Sequence, residues 1–216
     1  MSAANASVTT HWPDTTYSGD DSFKIDASRL PPFNDSNFFN RAQSAAATWS
    51  AVSGSGFDFV YTNPQPSIVN TLSPTTAGVP NDHTWIADYY TGTCTATECW
   101  NWPTNGICPT GYKCRLGHNV NAFSNGEIYK ALTVINHDDH IPWFQGTGAP
   151  TSSQYDLQSV QTHELGHAMG ATGAGGSACV FNANMYTMCD ERAYFLGNRY
   201  ARDLAGHELT DLAAKY

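Results

Sequence analysis

Residues 155–170 read YDLQSVQTHELGHAMG, and this stretch decides how the rest of the chain is interpreted. It predicts a helix from Tyr155 to Gly170. Asp156 lies near the start, where an acidic side chain caps free backbone N–H groups and interacts favourably with the helix dipole. Gly170 can end the helix in a left-handed turn, and the glycine-rich run ATGAGGSA at 171–178 cannot sustain a helix.

Within this helix, residues 163–167 have the pattern HExxH. Residues four apart lie on one face of a helix, so the imidazoles of His163 and His167 can hold one Zn²⁺. Glu164, beside the first histidine, can reach a metal-bound water and act as its general base. The pattern predicts metal-assisted hydrolysis. The alternative is an ordinary helix with solvent-facing His and Glu side chains.

The surroundings of the motif resemble the metzincin zinc endopeptidases, and among them the matrixin-like branch. Their motif is HExxHxxGxxH, followed by a turn that contains methionine. The matching features are Gly170, Asn184-Met185-Tyr186, WPD at 12–14, ATWS at 47–50, VIN at 134–136 before Trp143, and the C-terminal residues 209–216. The resemblance covers most of the chain, and residues 62–125 are the least similar part.

The resemblance implies a single α/β (α+β) catalytic domain over residues 1–216, with a mixed twisted sheet, an active-site helix and a C-terminal helix. It implies that Met185 packs beneath the metal without binding it, with Met188 as the alternative. Either methionine could instead be an ordinary residue of the hydrophobic core. An extended peptide substrate would pair antiparallel with the edge strand around 128–136.

One position departs from the family pattern. The third histidine ligand would stand at position 173, where this chain has Gly173. Glycine has no side chain to bind a metal, so the third ligand is unknown, and none of the candidates downstream is favoured. These are Cys179, Cys189, Asp190, Glu191 and His207. In the related glutamate zincins, the third ligand would fall near Thr187, for which Glu191 is a loose substitute.

The other predicted elements give a mixed α/β order. Apolar residues from Phe38 to Val52 recur at spacings of three and four, which predicts a helix. Strands are expected at 8–13, 57–61, 83–90 and 128–136, and a last helix at about 201–215. Residues 91–117 form a cysteine-rich excursion rather than a separate domain.

The six cysteines predict three disulfides. Cys179 and Cys189 stand apart from the others and are expected to pair, whereas the pairing of the four cysteines within 94–114 stays open. Their C-x4-C and C-x5-C spacings are looser than those of a zinc ribbon, which is the alternative. With a polar N-terminus that lacks a signal peptide, the cysteines predict a mature secreted, extracellular domain.

Composition restricts the partners. The 216 residues carry 10 Lys and Arg against 19 Asp and Glu, a net charge of −9 that argues against nucleic acid. No stretch approaches the roughly 20 apolar residues of a membrane-spanning helix. The resemblance to the metzincins implies a polypeptide substrate, and we expect a monomer.

Two further hypotheses concern metals and activity. Residues 137–140 read HDDH and are a candidate site for a structural metal, zinc or Ca²⁺, with a polar turn as the alternative. The predicted function is zinc endopeptidase. Because of Gly173, the competing reading is a degenerate domain that binds peptide or protein without cleaving it, or an inactivated variant of an active enzyme.

Overall fold

The computed structural model describes residues 12, 20–25, 33, 35–52, 57–62, 71–79, 81, 83–95, 98–108, 113–171, 197, 199, 202–204 and 209. The elements within these residues are, in chain order, β1 (Asp20–Ile25), α1 (Asp35–Ser50), β2 (Asp58–Tyr61), β3 (His83–Tyr89), β4 (Glu98–Cys99), β5 (Lys113–Cys114), β6 (Gly117–Ser124), β7 (Glu127–Asn136), β8 (Trp143–Phe144), β9 (Tyr155–Asp156) and α2 (Leu157–Ala168).

Five strands form one mixed sheet in the order β2-β1-β3-β7-β6. The first four are parallel, and β6 runs antiparallel to β7. Strand β7 therefore lies inside the sheet, and β6 lies at its edge. The expectation that residues 128–136 form the edge strand is wrong. Their largely apolar sequence reflects burial on both faces of the sheet, because β7 contributes residues to the buried clusters on either side.

The two faces of the sheet bury different clusters. Phe23, Ile25, Ile86 and Ile135 face α1 and α2, while Trp85, Ala87, Tyr89, Leu132 and Val134 pack beneath the 71–79 segment and Trp100. Helix α1 buries Phe38, Ala42, Ala45, Ala46 and Trp49, the apolar stripe that its sequence predicts. The fold class is confirmed as mixed α/β with both helices on one face.

Most predicted elements are confirmed within two or three residues of their expected bounds: α1, β2, β3, β7 and α2. The sequence interpretation missed β1 and β6. Strand β1 opens with Asp20, Asp21 and Ser22, which are more typical of turns. The predicted first strand at 8–13 and the last helix lie almost entirely outside the described residues.

The cysteine-rich excursion is a stapled loop. Disulfides join Cys94 to Cys99 and Cys108 to Cys114, which resolves the pairing within this cluster and contradicts the zinc ribbon. Buried Asn136 attaches the loop to the end of β7, because its Nδ2 donates to the carbonyls of Trp100 and Arg115, each at 2.8 Å. Cys179 and Cys189 lie outside the described residues.

In the part of the chain that the structure describes, neither helix has the length and apolar character needed to cross a membrane.

Candidate metal centre

Local hydrogen bonds define both ends of α2. Asp156 is the N-cap, and its Oδ2 accepts from the backbone N–H of Ser159 at 2.9 Å. At the other end, Gly170 has a φ of +85°, and the Ala171 N–H donates to the Gly166 carbonyl at 3.0 Å. This left-handed closure is the one that Gly170 predicts, because glycine adopts positive φ without steric cost.

The two histidines of the motif face each other. Their Nε2 atoms lie 3.2 Å apart, and His163 is only 1% exposed. His167 Nδ1 lies 2.9 Å from the Ala171 carbonyl oxygen, which can only accept a hydrogen bond. Nδ1 of His167 therefore carries the hydrogen, and Nε2 of the neutral ring has the lone pair that a metal needs.

This geometry fits two positions of a zinc site. Nitrogen ligands about 2.0–2.1 Å from a tetrahedral zinc ion lie roughly 3.3–3.4 Å apart, close to the observed 3.2 Å. The sharp turn at Gly170 brings the Ala171 carbonyl back to His167 and so fixes the ring. Among the described residues, no third His, Cys, Asp or Glu joins His163 and His167 as a ligand.

Glu164 is buried against the edge strand. Its side chain is 2% exposed and lies beside Gly117, at the start of β6. A Cβ atom at Gly117 would stand 2.9 Å from Glu164 Cγ and 3.0 Å from its Oε1. The Glu164 side chain can therefore occupy this position only because residue 117 has no side chain.

Three hydrogen bonds from distant parts of the chain hold α2 in position. Trp49 Nε1, on α1, donates to the Thr162 carbonyl at 2.8 Å. Asn121, on β6, donates to the His167 carbonyl at 2.7 Å. Trp12 Nε1 donates to the carbonyl of the last helical residue, Ala168, at 3.1 Å. The motif is thus fastened to α1, to β6 and to the N-terminal part of the chain.

Several predicted site residues lie outside the described part of the chain. They are Gly173, Met185, Met188, the pair Cys179 and Cys189, and the other ligand candidates Asp190, Glu191 and His207. Their expected roles stay predictions. The three residues of HExxH that carry chemistry all lie on α2.

The HDDH segment at 137–140 forms a tight turn at the carboxyl end of β7. Asp138 Oδ1 accepts from the His140 N–H at 2.9 Å, and its Oδ2 accepts from the Trp102 N–H at 2.7 Å. Ligand atoms of Asp138, Asp139 and His140 lie within 4.8 Å of one another. The buried carboxylate is thus used to hold the turn against the cysteine-rich excursion. A structural metal at this turn stays a prediction.

His137 does not belong to the cluster of ligand atoms formed by Asp138, Asp139 and His140, and its side chain lies near Asp88 instead. Its Nδ1 lies 3.7 Å from Asp88 Oδ2, at the ends of β7 and β3. Burial lowers the pKa of His137, and the nearby carboxylates of Asp88 and Asp138 partly oppose that shift. The imidazole is therefore held mainly in its neutral form at neutral pH.

Sequence reasoning missed Gly117, Asn121 and Trp12 as residues that shape the site. Trp12 lies in the WPD segment quoted above, but nothing in that segment indicates a contact with α2.

In comparisons with known proteins, no family profile and no curated sequence matches the chain.

The Gly117→Ala variant tests the packing of Glu164. We expect the added methyl group to displace the carboxylate. If the HExxH pattern carries the hydrolysis that it predicts, the rate should fall about 10²-fold, because small displacements of reacting groups have effects of this size. Zinc content should be unchanged, since the three atoms nearest to the added methyl group belong to Glu164 and Val160 and not to the imidazoles. Steady-state kinetics and metal analysis of the purified variant provide the check. Gly148→Ala, at an exposed glycine with open space around its Cβ position and no positive φ, is the matched control, and full activity of Gly117→Ala would contradict the interpretation.

Proposed function

We propose that the chain is a secreted zinc-dependent endopeptidase of metzincin-like type. The observation that carries the proposal is the pair of Nε2 atoms 3.2 Å apart on α2, with buried Glu164 between the two histidines in sequence. The mixed sheet, with the motif helix packed on one face, supports the same assignment. The two disulfides of the cysteine-rich excursion support secretion.

In the proposed peptide hydrolysis, the metal and the side chains of the chain have different roles. Bound zinc supplies a Lewis acid, which polarises the scissile carbonyl and lowers the pKa of water. His163 and His167 would hold it, and the Ala171 carbonyl orients the second ring. Glu164 would take the proton from the attacking water and pass it to the leaving amine.

The edge strand β6 is the better candidate for binding an extended substrate. It has β7 on one side, and it passes directly beside the motif helix through Gly117 and Asn121. Among the described residues no strand pairs with its other edge, where an added peptide would gain main-chain hydrogen bonds. This replaces the expectation that residues 128–136 serve that purpose.

Metal content and proteolysis test the proposal together. Purified protein should contain zinc by mass spectrometry, and it should cleave casein or gelatin until a chelator is added. Restored cleavage on adding Zn²⁺ would separate metal loss from denaturation. A zinc-free protein that cleaves neither substrate after Zn²⁺ is supplied would refute the assignment.

A second function is supported by Gly173, which leaves the family's third ligand position without a side chain. In this alternative, the domain binds peptide or protein and cleaves nothing. Intact His163, Glu164 and His167 argue against it. Peptide binding without turnover in the zinc-loaded protein would favour it.

The Gly173→His variant separates these two functions. If the chain follows the family path beyond Gly170, the added imidazole completes a three-ligand set. Losing a residue that only supports a metal ligand typically lowers metal affinity about 10- to 100-fold. Adding a direct ligand should therefore raise zinc affinity by at least that factor, and hydrolysis should increase. Competition with a chromogenic chelator measures the affinity, with Gly175→His as the control. Tight zinc binding by the unmodified chain and no gain in the variant would mean that another residue completes the site.

A further inference from the structure

Arg202 and Asp156 form a buried ion pair at the N-terminus of α2. Nε and Nη2 of Arg202 donate to the two carboxylate oxygens of Asp156, with Nε 2.7 Å from Oδ2. The Asp156 side chain is fully buried, and that of Arg202 is 10% exposed. The proposed mechanism uses neither residue.

Nearly all donors of the Arg202 guanidinium and acceptor positions of the Asp156 carboxylate take part in hydrogen bonds. Arg202 also donates from Nη1 to the Thr147 carbonyl at 2.8 Å and from Nη2 to the Gly146 carbonyl at 3.0 Å. Asp156 Oδ2 accepts from both the N–H and the Oγ of Ser159, at 2.9 and 2.7 Å. A carboxylate has about four acceptor positions and a guanidinium five N–H donors. These contacts use four of the five guanidinium donors and all of the carboxylate's acceptor positions, so the pair comes close to the full hydrogen bonding that lets buried charges be tolerated.

Arg202 connects three parts of the molecule. Its side chain joins the beginning of the 145–154 loop to Asp156, the second residue after that loop. Thr48 Oγ1, on α1, lies 3.1 Å from the Arg202 main-chain carbonyl oxygen and 3.0 Å from the Ser44 carbonyl oxygen, so its one hydrogen is shared between these two acceptors. The loop and the first turn of α2 are therefore tied to α1 through one residue.

The ion pair lies at a fixed distance from the metal-binding histidines. Asp156 is seven residues before His163, which corresponds to about 10 Å along a helix. The carbonyls of His167 and Ala168 are held by Asn121 and Trp12 at the other end. Any axial movement of α2 would stretch several directional bonds of Asp156 at once.

We propose that Arg202 is a positioning residue for the metal centre. By holding the N-cap of α2, it sets the axial position of the helix against β6 and so the place of Glu164 relative to the substrate. This inference rests on the proposed endopeptidase function for its catalytic readout. Displacements of about 1 Å far from the reacting atoms can cost about 10²-fold in rate.

The test compares three variants of the full chain loaded with zinc. Arg202→Met removes the charge and its hydrogen bonds. Arg202→Lys keeps the charge but cannot make the two-pronged contact. Arg199→Met, at a nearby exposed arginine, is the matched control. We expect Arg202→Met to lower kcat about 10- to 100-fold with KM within about twofold, Arg202→Lys to be intermediate, and the control to match wild type. The visible spectrum of the Co²⁺-substituted protein should change in the same order.

A purely stabilising role gives a different result. If folded Arg202→Met has the kcat and the Co²⁺ spectrum of wild type and only a lower Tm, the inference is wrong. If Arg202→Met does not fold, Arg202→Lys decides by the same criteria.

Failure of the proposed function is recognised separately, because the wild-type protein would then bind no zinc and cleave nothing. In that case, NMR of the metal-free proteins tests whether Arg202 positions the two histidines. Changed ring ¹⁵N shifts of His163 and His167 in the Arg202 variants, but not in Arg199→Met, support positioning. Unchanged shifts overturn it.

Discussion

The Glu164→Gln variant is expected to hydrolyse peptides about 10²- to 10⁴-fold more slowly than the wild-type chain, the range attributed to a general base. Glutamine has the same shape as glutamate and keeps the contact with Gly117, but it cannot accept the proton of the attacking water. Zinc content and thermal stability should therefore stay close to wild type. Active-site titration and steady-state kinetics on a fluorogenic peptide measure the effect.

The matched control is Glu127→Gln, the same change at the start of β7 and away from the motif. It should leave turnover unchanged. Undiminished hydrolysis by Glu164→Gln would remove the general-base assignment. Loss of zinc together with activity would indicate that the carboxylate supports the metal site rather than proton transfer.

The Asp156→Ala variant is expected to lose about 3–5 kcal/mol of stability, because it leaves the buried guanidinium of Arg202 unpaired. It also removes the N-cap of α2, and loss of such a cap costs about 0.5–2 kcal/mol on its own. Asp156→Asn keeps a good capping side chain while removing the charge. The difference between the two variants therefore separates the cap from the ion pair.

Urea denaturation of the metal-free proteins measures both variants. Asp139→Ala provides the control, since that aspartate is 75% exposed and its loss should change stability by less than about 0.5 kcal/mol. A loss below about 1 kcal/mol in Asp156→Ala would contradict a stabilising role for the pair.

The parts of the fold that sequence predicts well are those with a strong local signal. Helix α1 has a complete apolar stripe, α2 has an aspartate at its start and a glycine after its end, and β7 is rich in β-branched residues. Each signal arises from physics that acts within a few residues. The facing pair His163 and His167 is local in the same sense, because both residues lie on one helix.

The parts that sequence did not predict depend on distant contacts. Strand β6 contains Asn119 and Asn121, which are unfavourable in strands by propensity, and it forms because β7 lies beside it. Its one local signal is the Asn125-Gly126 turn, where both residues have positive φ, as a tight hairpin requires. Arg202 has no such signal, because its partner is 46 residues away.

The hydrogen bond from Trp12 to Ala168 has a consequence for how the molecule reaches its native state. It joins residues 156 positions apart, and the bond from Trp49 to Thr162 joins residues 113 apart. Closing such long loops is entropically costly, so contacts of this kind form late and slow the folding of a chain. The HExxH segment can become helical early, but it acquires its final surroundings only when nearly the whole chain has been synthesised and has collapsed around it. A fragment that carries the motif alone would lack the contacts that hold it in place.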